Sequence, residues 1–483
     1  MVYQKILIII LIGAFFLRLP SLFEPFTYAD EGIYLTLGQA MQQGKILYRE
    51  IHDNKPPLLY LLAALAGNFT YFRLLLMIWG LFTIYLFSLL ARQLFPQKPK
   101  AWLLATGFFA ILTSVHTFEG NIANAENFML LPTIAGFWLI LKNLKNKSMF
   151  PFFLAGSFFA LAVLFKIPAA FDFLAALIFL CFISIKRKEK LPASRYLLVS
   201  ILGFALPFLM TFIYFYYQKA LSQYLVAAFY QNIPYLSSWG GQSQAFSFPF
   251  GFLARSLIVA GTVIIVFLFS KRLTLASQLI LIWFSFSLFA ALLSSRPYPH
   301  YLLQIMPSLS LAFGLILICS WEKFLPFFLM AVFVATFWAF HFWHYPNLSY
   351  YLNFYQFALG MKTKDQYLTT FDPRAEMTYQ LVHYICSHTQ VEEPIFIWGT
   401  EPSVYALSRR PPVGRYTVKY HIIDFNGYTE TMAALKQTPP RLVVIIGDAE
   451  KEFSELAFFL KKYYFKNHNI GESEIYWLRE KPS

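Results

Sequence analysis

The stretch FTYADEGIYLTLGQAMQQGKILYREIHDNKPPLLY, residues 26–60, concentrates charge in a chain that has little of it elsewhere. It carries Asp30 and Glu31 near its start and Lys55 near its end. Of the 483 residues, 13% are charged and 58% are hydrophobic, whereas a soluble domain carries about 25% charged residues. The chain is therefore predicted to be an integral membrane protein, with this stretch as its first polar loop.

The net charge of +14 follows the membrane loops and does not indicate a nucleic-acid surface. Residues 347–483 carry 15 basic and 15 acidic side chains, so the excess lies in residues 1–346, with 24 basic and 10 acidic. When the predicted spans alternate, 15 of those 24 basic residues share one side, with only Glu189 and Glu322 as acids. Short basic loops face the cytoplasm, so that side is assigned as cytoplasmic and no nucleic-acid partner is expected.

Eleven apolar segments are long enough, or nearly so, to cross a bilayer. They lie at about 2–23, 72–92, 101–117, 126–141, 149–165, 167–185, 196–217, 250–270, 273–293, 301–319 and 323–343. The first is interpreted as an uncleaved anchor because no small-residue cleavage site follows it, with a signal peptide as the alternative. An odd number of spans from a cytoplasmic N-terminus exports the polar tail.

The predicted architecture is an α-helical polytopic membrane domain, residues 1–346, followed by a small extracytoplasmic α/β domain, residues 347–483. In the tail, helix-like segments alternate with the strand-like segments PIFIWG, RLVVIIGD and EIYWLRE. Cys181, Cys319 and Cys386 are too scattered for a metal site and are expected to be buried thiols. The loops predicted on the extracytoplasmic face of the plasma membrane are 24–70, 118–126, 218–249 and 294–300.

Candidate chemistry begins with the first loop. Asp30 and Glu31 are adjacent, so on a helix their side chains point about 100° apart. One could act as a general base while the other orients it or holds a hydroxyl or cation, and ordinary loop solvation is the alternative. Two prolines after Lys55 permit a new helix, and Leu58–Ala66 is too short to span a bilayer. It is predicted to lie at the interface, where Lys55 could meet a lipid phosphate or simply snorkel.

Other ionisable side chains are predicted at the ends of spans on the same face. Glu126 stands at the outer end of the fourth span, where the helix dipole alone could account for it. Lys166 lies between the fifth and sixth spans, with function and snorkelling as open alternatives. The stretch SSRPYPHY brings Arg296, His300 and Tyr301 to the tenth span. Arg and protonated His suit a phosphate, although an interfacial Arg in an aromatic belt is the alternative.

Four segments resemble one known group of enzymes: the Asp-Glu pair of the first loop, NKPPLLY, RPYPHYLLQIMPSLSL and IFIWGTEPSVYALSRRPP. They look like segments of the polytopic GT-C glycosyltransferases that use lipid-phosphate-linked sugars, among them the protein O-mannosyltransferases and the lipid A aminoarabinose transferases. The likeness touches both ends and the middle of the chain, and its motifs are short. It implies a GT-C fold and sugar transfer.

The resemblance also implies roles for individual residues. Asp30 matches the family's catalytic carboxylate and Glu31 its partner. Lys55, Arg296 and His300 match residues that contact the donor phosphate. One departure is that Asn54 stands where the aminoarabinose transferases have a carboxylate, with Asp53 one residue earlier. The acceptor or metal contact therefore stays open, and the accessory candidates are His52, Asp53, Glu126, Lys166 and Tyr301.

The predicted function is transfer of a sugar from a polyprenyl-phosphate donor to a hydroxyl of a glycan, lipid or protein, with inversion. Asp30 would take the acceptor proton, and the basic residues would stabilise the departing phosphate. Nothing in the sequence requires a cofactor, although oxygens of Asp30, Glu31 and Glu126 suit Mg or Mn. The alternatives are a transporter or lipid flippase, which would place charge near the bilayer midplane, and another membrane transferase.

Overall fold

The computed structural model describes residues 2–145, 148–187, 193–233, 251–294, 296–318, 321–372 and 374–479. The chain forms two compact units. The first comprises Met1–Leu22, Arg73–Tyr214 and Phe229–Tyr350, and the second comprises Phe23–Phe72, Phe215–Ala228 and Tyr351–Ser483. The polar first loop thus belongs to the same unit as the C-terminal segment. The predicted boundary at residue 346 divides a membrane domain from an extracytoplasmic domain, and it stays a prediction.

Helices make up most of the described chain. In chain order they are α1 (Val2–Arg18), α2 (Ala29–Gln42), α3 (Leu58–Ala66), α4 (Phe69–Leu94), α5 (Pro99–Leu112), α6 (Ala125–Asn143), α7 (Phe150–Phe165), α8 (Ala170–Arg187), α9 (Ala193–Tyr217), α10 (Leu221–Leu225), α11 (Phe252–Leu268), α12 (Leu275–Ala291), α13 (Met306–Gly314), α14 (Leu325–Ala339), α15 (Asn347–Ala358), α16 (Lys364–Leu368), α17 (Arg374–His388), α18 (Ser403–Ser408), α19 (Lys419–Asp424), α20 (Tyr428–Gln437), α21 (Ala449–Glu452) and α22 (Ser454–Tyr463). A 3-10 helix, Pro299–Ile305, precedes α13.

Within the described residues, each of the eleven predicted spans overlaps a helical segment, and residues 250 and 319 of two of these spans lie outside that part of the chain. Among the described residues, five helical stretches are long and apolar enough to cross a membrane: Val2–Leu22, Phe69–Leu94, Ser194–Tyr217, Pro299–Leu317 and Trp321–Ala339. Shorter apolar helices cover Pro99–Leu112, Phe150–Phe165, Ile167–Ile183, Phe252–Leu268 and Leu275–Ala291. The chain is a multi-pass helical membrane protein.

Small residues allow helices of the first unit to approach closely. A Cβ added at Gly156 of α7 would lie 1.9 Å from the carbonyl oxygen of Ser200, and one at Gly203 of α9 would lie 1.9 Å from that of Phe153. The hydroxyl of Ser157 donates to the carbonyl of Gly203 at 2.9 Å. In a membrane, where lipid tails are as apolar as leucine, such close packing and hydrogen bonding between helices drives association.

The C-terminal segment forms a four-stranded sheet in the order β1-β2-β4-β3. Its strands are β1 (Phe396–Trp398), β2 (Leu442–Ile446), β3 (Tyr464–Ile470) and β4 (Ser473–Leu478). β1 and β2 pair in parallel, and the other neighbours are antiparallel. The predicted small α/β fold is confirmed, but β3 is an additional strand. Its sequence YFKNHNI lacks an apolar pattern because β3 is an edge strand whose middle is exposed.

Glycines position α2 within the second unit. A Cβ at Gly38 would lie 2.5 Å from the amide nitrogen of Ala64 in α3, and one at Gly32 would lie 2.6 Å from that of Ser403 in α18. The side-chain amide of Gln39 donates to the carbonyls of Gly67 and Ala406, each at 3.0 Å. The helix predicted at Leu58–Ala66 has these bounds in the structure. The contacts of Gly32, Gly38 and Gln39 hold α2 against α3 and α18.

The cysteine prediction needs correction. Cys386 is exposed because it lies on an outer face of α17, and Cys181 is only partly buried. Cys319 lies outside the described residues.

Candidate functional site

The two carboxylates of the first loop lie in the first turn of α2 and have different surroundings. The side chain of Asp30 is 29% exposed, whereas Glu31 is fully buried. A carboxylate in the first turn is stabilised by the helix dipole. The carboxylate available to a solvent-borne molecule is therefore Asp30, while Glu31 belongs to the interior of the second unit.

Tyr34 and Lys55 both contact the carboxylate of Asp30. The hydroxyl of Tyr34 donates to Oδ2 of Asp30 at 2.8 Å, and Nζ of Lys55 lies 3.6 Å from the same oxygen. Nζ also lies 4.9 Å from the centroid of the Tyr34 ring, within range of a cation–π interaction. Burial and the neighbouring charge of Asp30 raise the pKa of Tyr34 well above its ordinary value. Tyr34 therefore stays protonated and acts as a hydrogen-bond donor.

Two buried tyrosines hold the main chain of Lys55. The hydroxyl of Tyr48 donates to the carbonyl of Lys55 at 2.7 Å, and the amide of Lys55 donates to the hydroxyl oxygen of Tyr60 at 3.1 Å. Both tyrosines are fully buried, while the side chain of Lys55 is 22% exposed. The backbone is thus fixed at both of its polar groups, and the ammonium is presented at a partly open position.

Asp53 is the buried carboxylate of this region. Its Oδ2 accepts from the hydroxyl of Tyr60 at 2.7 Å, and its Oδ1 accepts from the amide of Asn54 at 2.7 Å. Nε2 of His421 lies 3.4 Å from Oδ1. Burial by itself would raise the pKa of Asp53, but Lys55, His421 and the two hydrogen bonds bring it below its ordinary value. Asp53 is therefore a buried, ionised side chain that is surrounded by other residues of the protein.

His52 is buried among aromatic rings. Its ring centroid lies 5.3 Å from that of Tyr416 and 5.0 Å from that of Phe425, and its amide donates to the carbonyl of Arg415 at 2.9 Å. Within the described part of the chain, neither ring nitrogen has a hydrogen-bond partner. Burial, with smaller contributions from His421 and Arg415, lowers its pKa to about 3. His52 is therefore neutral at physiological pH, and its predicted accessory role stays a prediction.

The first unit contains a buried cluster of ionisable side chains. Nδ1 of His300 pairs with Oε2 of Glu119, and Nζ of Lys166 pairs with Oε1 of Glu126. Nε2 of His300 lies 3.6 Å from the same oxygen of Glu126, and Nζ of Lys166 lies 3.9 Å from the centroid of the Tyr301 ring. Four of the predicted residues are thus brought together, with Glu119 as an additional member.

Arg296 is exposed, unlike His300 and Tyr301 a few residues later. The predicted roles of Arg296 and His300 as phosphate contacts stay predictions, as does that of Lys55. In the first unit, each carboxylate of the buried cluster already has a basic partner. The structure therefore brings Glu126, Lys166, His300 and Tyr301 together in the first unit. In the second unit it brings Asp30 close to Lys55.

Several residues of these sets were not predicted. Tyr34 lies four residues after Asp30, a spacing that places the two on one face of a helix, so the sequence carried that signal. Tyr48 and Tyr60 flank Lys55 at short range but are two of 30 tyrosines in the chain. His421 lies hundreds of residues from Asp53, and no local pattern connects them.

The predicted divalent cation would take its ligands from these carboxylates. Among the described residues, no group of three or more His, Cys, Asp or Glu side chains could hold a metal ion. The Asp30 carboxylate faces the ammonium of Lys55, and Glu126 pairs with Lys166. The predicted Mg or Mn site stays a prediction.

No protein-family model matches the chain, and no curated protein matches it. Solved structures, in contrast, do match the chain. The crystal structure of ArnT from Cupriavidus metallidurans bound to undecaprenyl phosphate has a TM-score of 0.58 at 14% identity, covering 97% of this chain and 97% of that chain. The chain has a GT-C-like fold. The predicted fold class is confirmed by this likeness.

A second similar structure is that of the archaeal oligosaccharyltransferase AglB from Archaeoglobus fulgidus, in complex with an inhibitory peptide and a dolichol-phosphate. It covers 99% of this chain and 74% of that chain at 12% identity, with a TM-score of 0.49.

Proposed function

We propose that this protein is an integral membrane glycosyltransferase that moves a sugar from a polyprenyl-phosphate donor to an acceptor hydroxyl. The observation that carries the proposal is the pairing of a partly exposed carboxylate, Asp30, with a partly exposed ammonium, Lys55, 3.6 Å apart. Transfer from a phosphate requires a proton acceptor and a positive group for the leaving anion. The GT-C-like fold, and the undecaprenyl phosphate bound to the ArnT structure, support a lipid-linked donor.

Asp30 is the proposed base. The acceptor oxygen attacks the anomeric carbon, its proton passes to a carboxylate oxygen of Asp30, and the bond from that carbon to the phosphate oxygen breaks. The products are the glycosylated acceptor and the polyprenyl phosphate. No carboxylate attacks the sugar in this scheme, so a single displacement inverts the anomeric configuration. Tyr34 donates to Oδ2 and so orients the carboxylate for the acceptor.

Lys55 is the proposed partner of the donor phosphate. Negative charge builds up on the phosphate oxygen as the glycosidic bond breaks, and an ammonium already in position stabilises that charge. The clamped backbone of Lys55 supports this role because it restricts where the ammonium can go. The basic short loops are assigned to the cytoplasmic side of the membrane, and the loop that carries Lys55 lies on the opposite side. This assignment favours an extracytoplasmic site at the plasma membrane.

Sugar transfer in native membranes tests this function. Membranes containing the wild-type chain or Asp30→Asn at matched expression are incubated with radiolabelled polyprenyl-phosphate sugars. Asp365→Asn is the matched control, because Asp365 is also in the first turn of a helix, α16, and is exposed. We expect Asp30→Asn to abolish measurable transfer and Asp365→Asn to retain it. Equal transfer by both variants would reject Asp30 as the base.

The same experiment separates transfer from transport. A transporter or flippase would leave the sugar on its lipid and change only its side of the bilayer. Sugar that remains chloroform-soluble but becomes accessible from the opposite side would contradict the proposal. Label that becomes covalently attached to a new acceptor would support it.

A further inference from the structure

A residue of the C-terminal segment contacts the buried carboxylate next to Lys55. Nε2 of His421, on α19, lies 3.4 Å from Oδ1 of Asp53. Both side chains are almost completely buried, and both belong to the second unit. A buried carboxylate needs hydrogen-bonding or charged partners to compensate for its desolvation. His421 therefore contributes to the environment that keeps Asp53 in place.

The hydroxyl of Tyr60 links Asp53 to Lys55. Tyr60 uses its hydroxyl in both directions, donating its proton to Oδ2 of Asp53 at 2.7 Å and accepting from the amide of Lys55 at 3.1 Å. The position of the tyrosine oxygen therefore depends on the carboxylate, and the position of the Lys55 amide depends on that oxygen. A change at His421 would be transmitted along three consecutive polar contacts.

The opposite side of Lys55 is fixed independently. The hydroxyl of Tyr48 donates to its carbonyl at 2.7 Å, and the Tyr48 ring packs against Phe215 and Tyr224, with centroids 5.3 and 5.4 Å away. Loss of the Tyr60 contact would remove the hydrogen bond at the Lys55 amide, while the hydrogen bond from Tyr48 to its carbonyl would remain. The ammonium would then sample a wider range of positions around Asp30.

We propose that His421 is a positioning residue for Lys55, acting through Asp53 and Tyr60. The C-terminal segment thereby takes part in the transfer site without touching substrate. The role of Lys55 in sugar transfer rests on the proposed function, but the physical coupling between His421 and Lys55 does not. A glutamine at position 421 can keep an N–H donor near the site of Nε2, whereas leucine fills space without a donor.

Labelling of Lys55 measures the coupling without any assay of transfer. The full-length wild-type chain, His421→Leu and His421→Gln are treated briefly with an amine-reactive reagent in detergent, and modification is read by mass spectrometry. Lys45 is the internal control, because it is also half-buried in the same loop and donates to the carbonyl of Pro412 at 3.3 Å. Unfolding would raise the reactivity of both lysines.

We expect Lys55 to react about threefold faster or more in His421→Leu, and within about twofold of wild type in His421→Gln, since glutamine keeps a donor. Lys45 should react equally in all three proteins. An unchanged rate for Lys55 in His421→Leu would overturn the proposal. A parallel rise at Lys45 and Lys55 would also overturn it, because it would indicate a general loss of structure.

Transfer activity then gives a second readout. With positioning lost, kcat should fall about tenfold in His421→Leu and recover in His421→Gln, because misplacement of a catalytic group by about 1 Å lowers rates strongly. An unchanged kcat in His421→Leu would contradict the link to the reaction. If the wild-type chain transfers no sugar, the proposed function fails, and the labelling result still decides whether His421 positions Lys55.

Discussion

Nζ of Lys55 lies 3.6 Å from Oδ2 of Asp30, and both side chains are partly exposed although their tyrosine neighbours are buried. The contact connects Asp30, in the first turn of α2, with Lys55, the residue before two prolines. Opposite charges at this distance attract each other without substrate. A donor phosphate would compete for the ammonium, and its arrival would leave Asp30 freer to accept a proton. Donor binding would in this way prepare the base for the acceptor.

Replacing Lys55 tests the phosphate role. Lys55→Met keeps the length of the side chain and removes its charge, so kcat/KM for sugar transfer should fall by about a hundredfold or more, the usual effect of deleting one preorganised charge stabiliser. Lys45→Met is the control, since it removes a charge from the same loop. Transfer by Lys55→Met within about threefold of wild type would contradict the assignment.

Tyr34 should affect catalysis through a single hydroxyl. Tyr34→Phe keeps the ring under the Lys55 ammonium and removes the donor to Oδ2 of Asp30. We expect kcat to fall about tenfold, because the carboxylate loses its orienting hydrogen bond. Tyr476→Phe is a matched control, because its hydroxyl donates to Glu474 at 2.8 Å on β4. Equal steady-state rates for Tyr34→Phe and the control would show that Tyr34 has no part in the reaction.

The crossing of α2 and α3 should tolerate no side chain at Gly38. A methyl group there would lie 2.5 Å from a backbone nitrogen of α3, which cannot rotate away. We expect Gly38→Ala to lower the free energy of unfolding by about 1–3 kcal/mol, as overpacking does. Gly107→Ala is the control, since a Cβ there meets nothing within 4 Å. Thermal unfolding in detergent compares the two, and equal midpoints would refute the close crossing.

The sequence predicted the helices of the fold well because hydrophobic length is a strong local signal. The start of α3 was predicted from the two prolines before Leu58, and the helix ends before Gly67, which has a left-handed φ of 69°. Edge strand β3 was missed because a strand with exposed faces carries no alternation of apolar residues.

The candidate site was predicted only in part, for a different physical reason. Asp30 and Lys55 stand out because charge is rare in this chain and prolines mark the second of them. His421 and Glu119 were missed, since each acquires its partner, Asp53 or His300, through folding over a long sequence separation. Contacts between residues so far apart in the chain cannot be predicted from the spacing of residues in a single sequence.

The buried state of His52 predicts how stability depends on pH. Its pKa is lowered from 6.5 to about 3 in the folded protein, chiefly by burial, so the unfolded chain binds a proton below pH 6.5 that the folded chain does not. Stability from this residue is fully present above about pH 6.5 and falls as the pH drops toward 3. Burial also lowers the pKa of His421, which acts in the same direction.

Replacing the imidazole ring of His52 should make the stability of the chain less dependent on pH. In His52→Phe the aromatic packing against Tyr416 and Phe425 is kept, while no proton can be bound. Between pH 6 and pH 4 the wild-type chain should lose up to about 1.4 kcal/mol per pH unit for each fully shifted histidine, and His52→Phe should lose correspondingly less. Thermal unfolding of the detergent-solubilised chain at pH 7.5 and pH 4.5 measures the difference. Equal shifts in midpoint for the two proteins would mean that His52 is not kept neutral by burial.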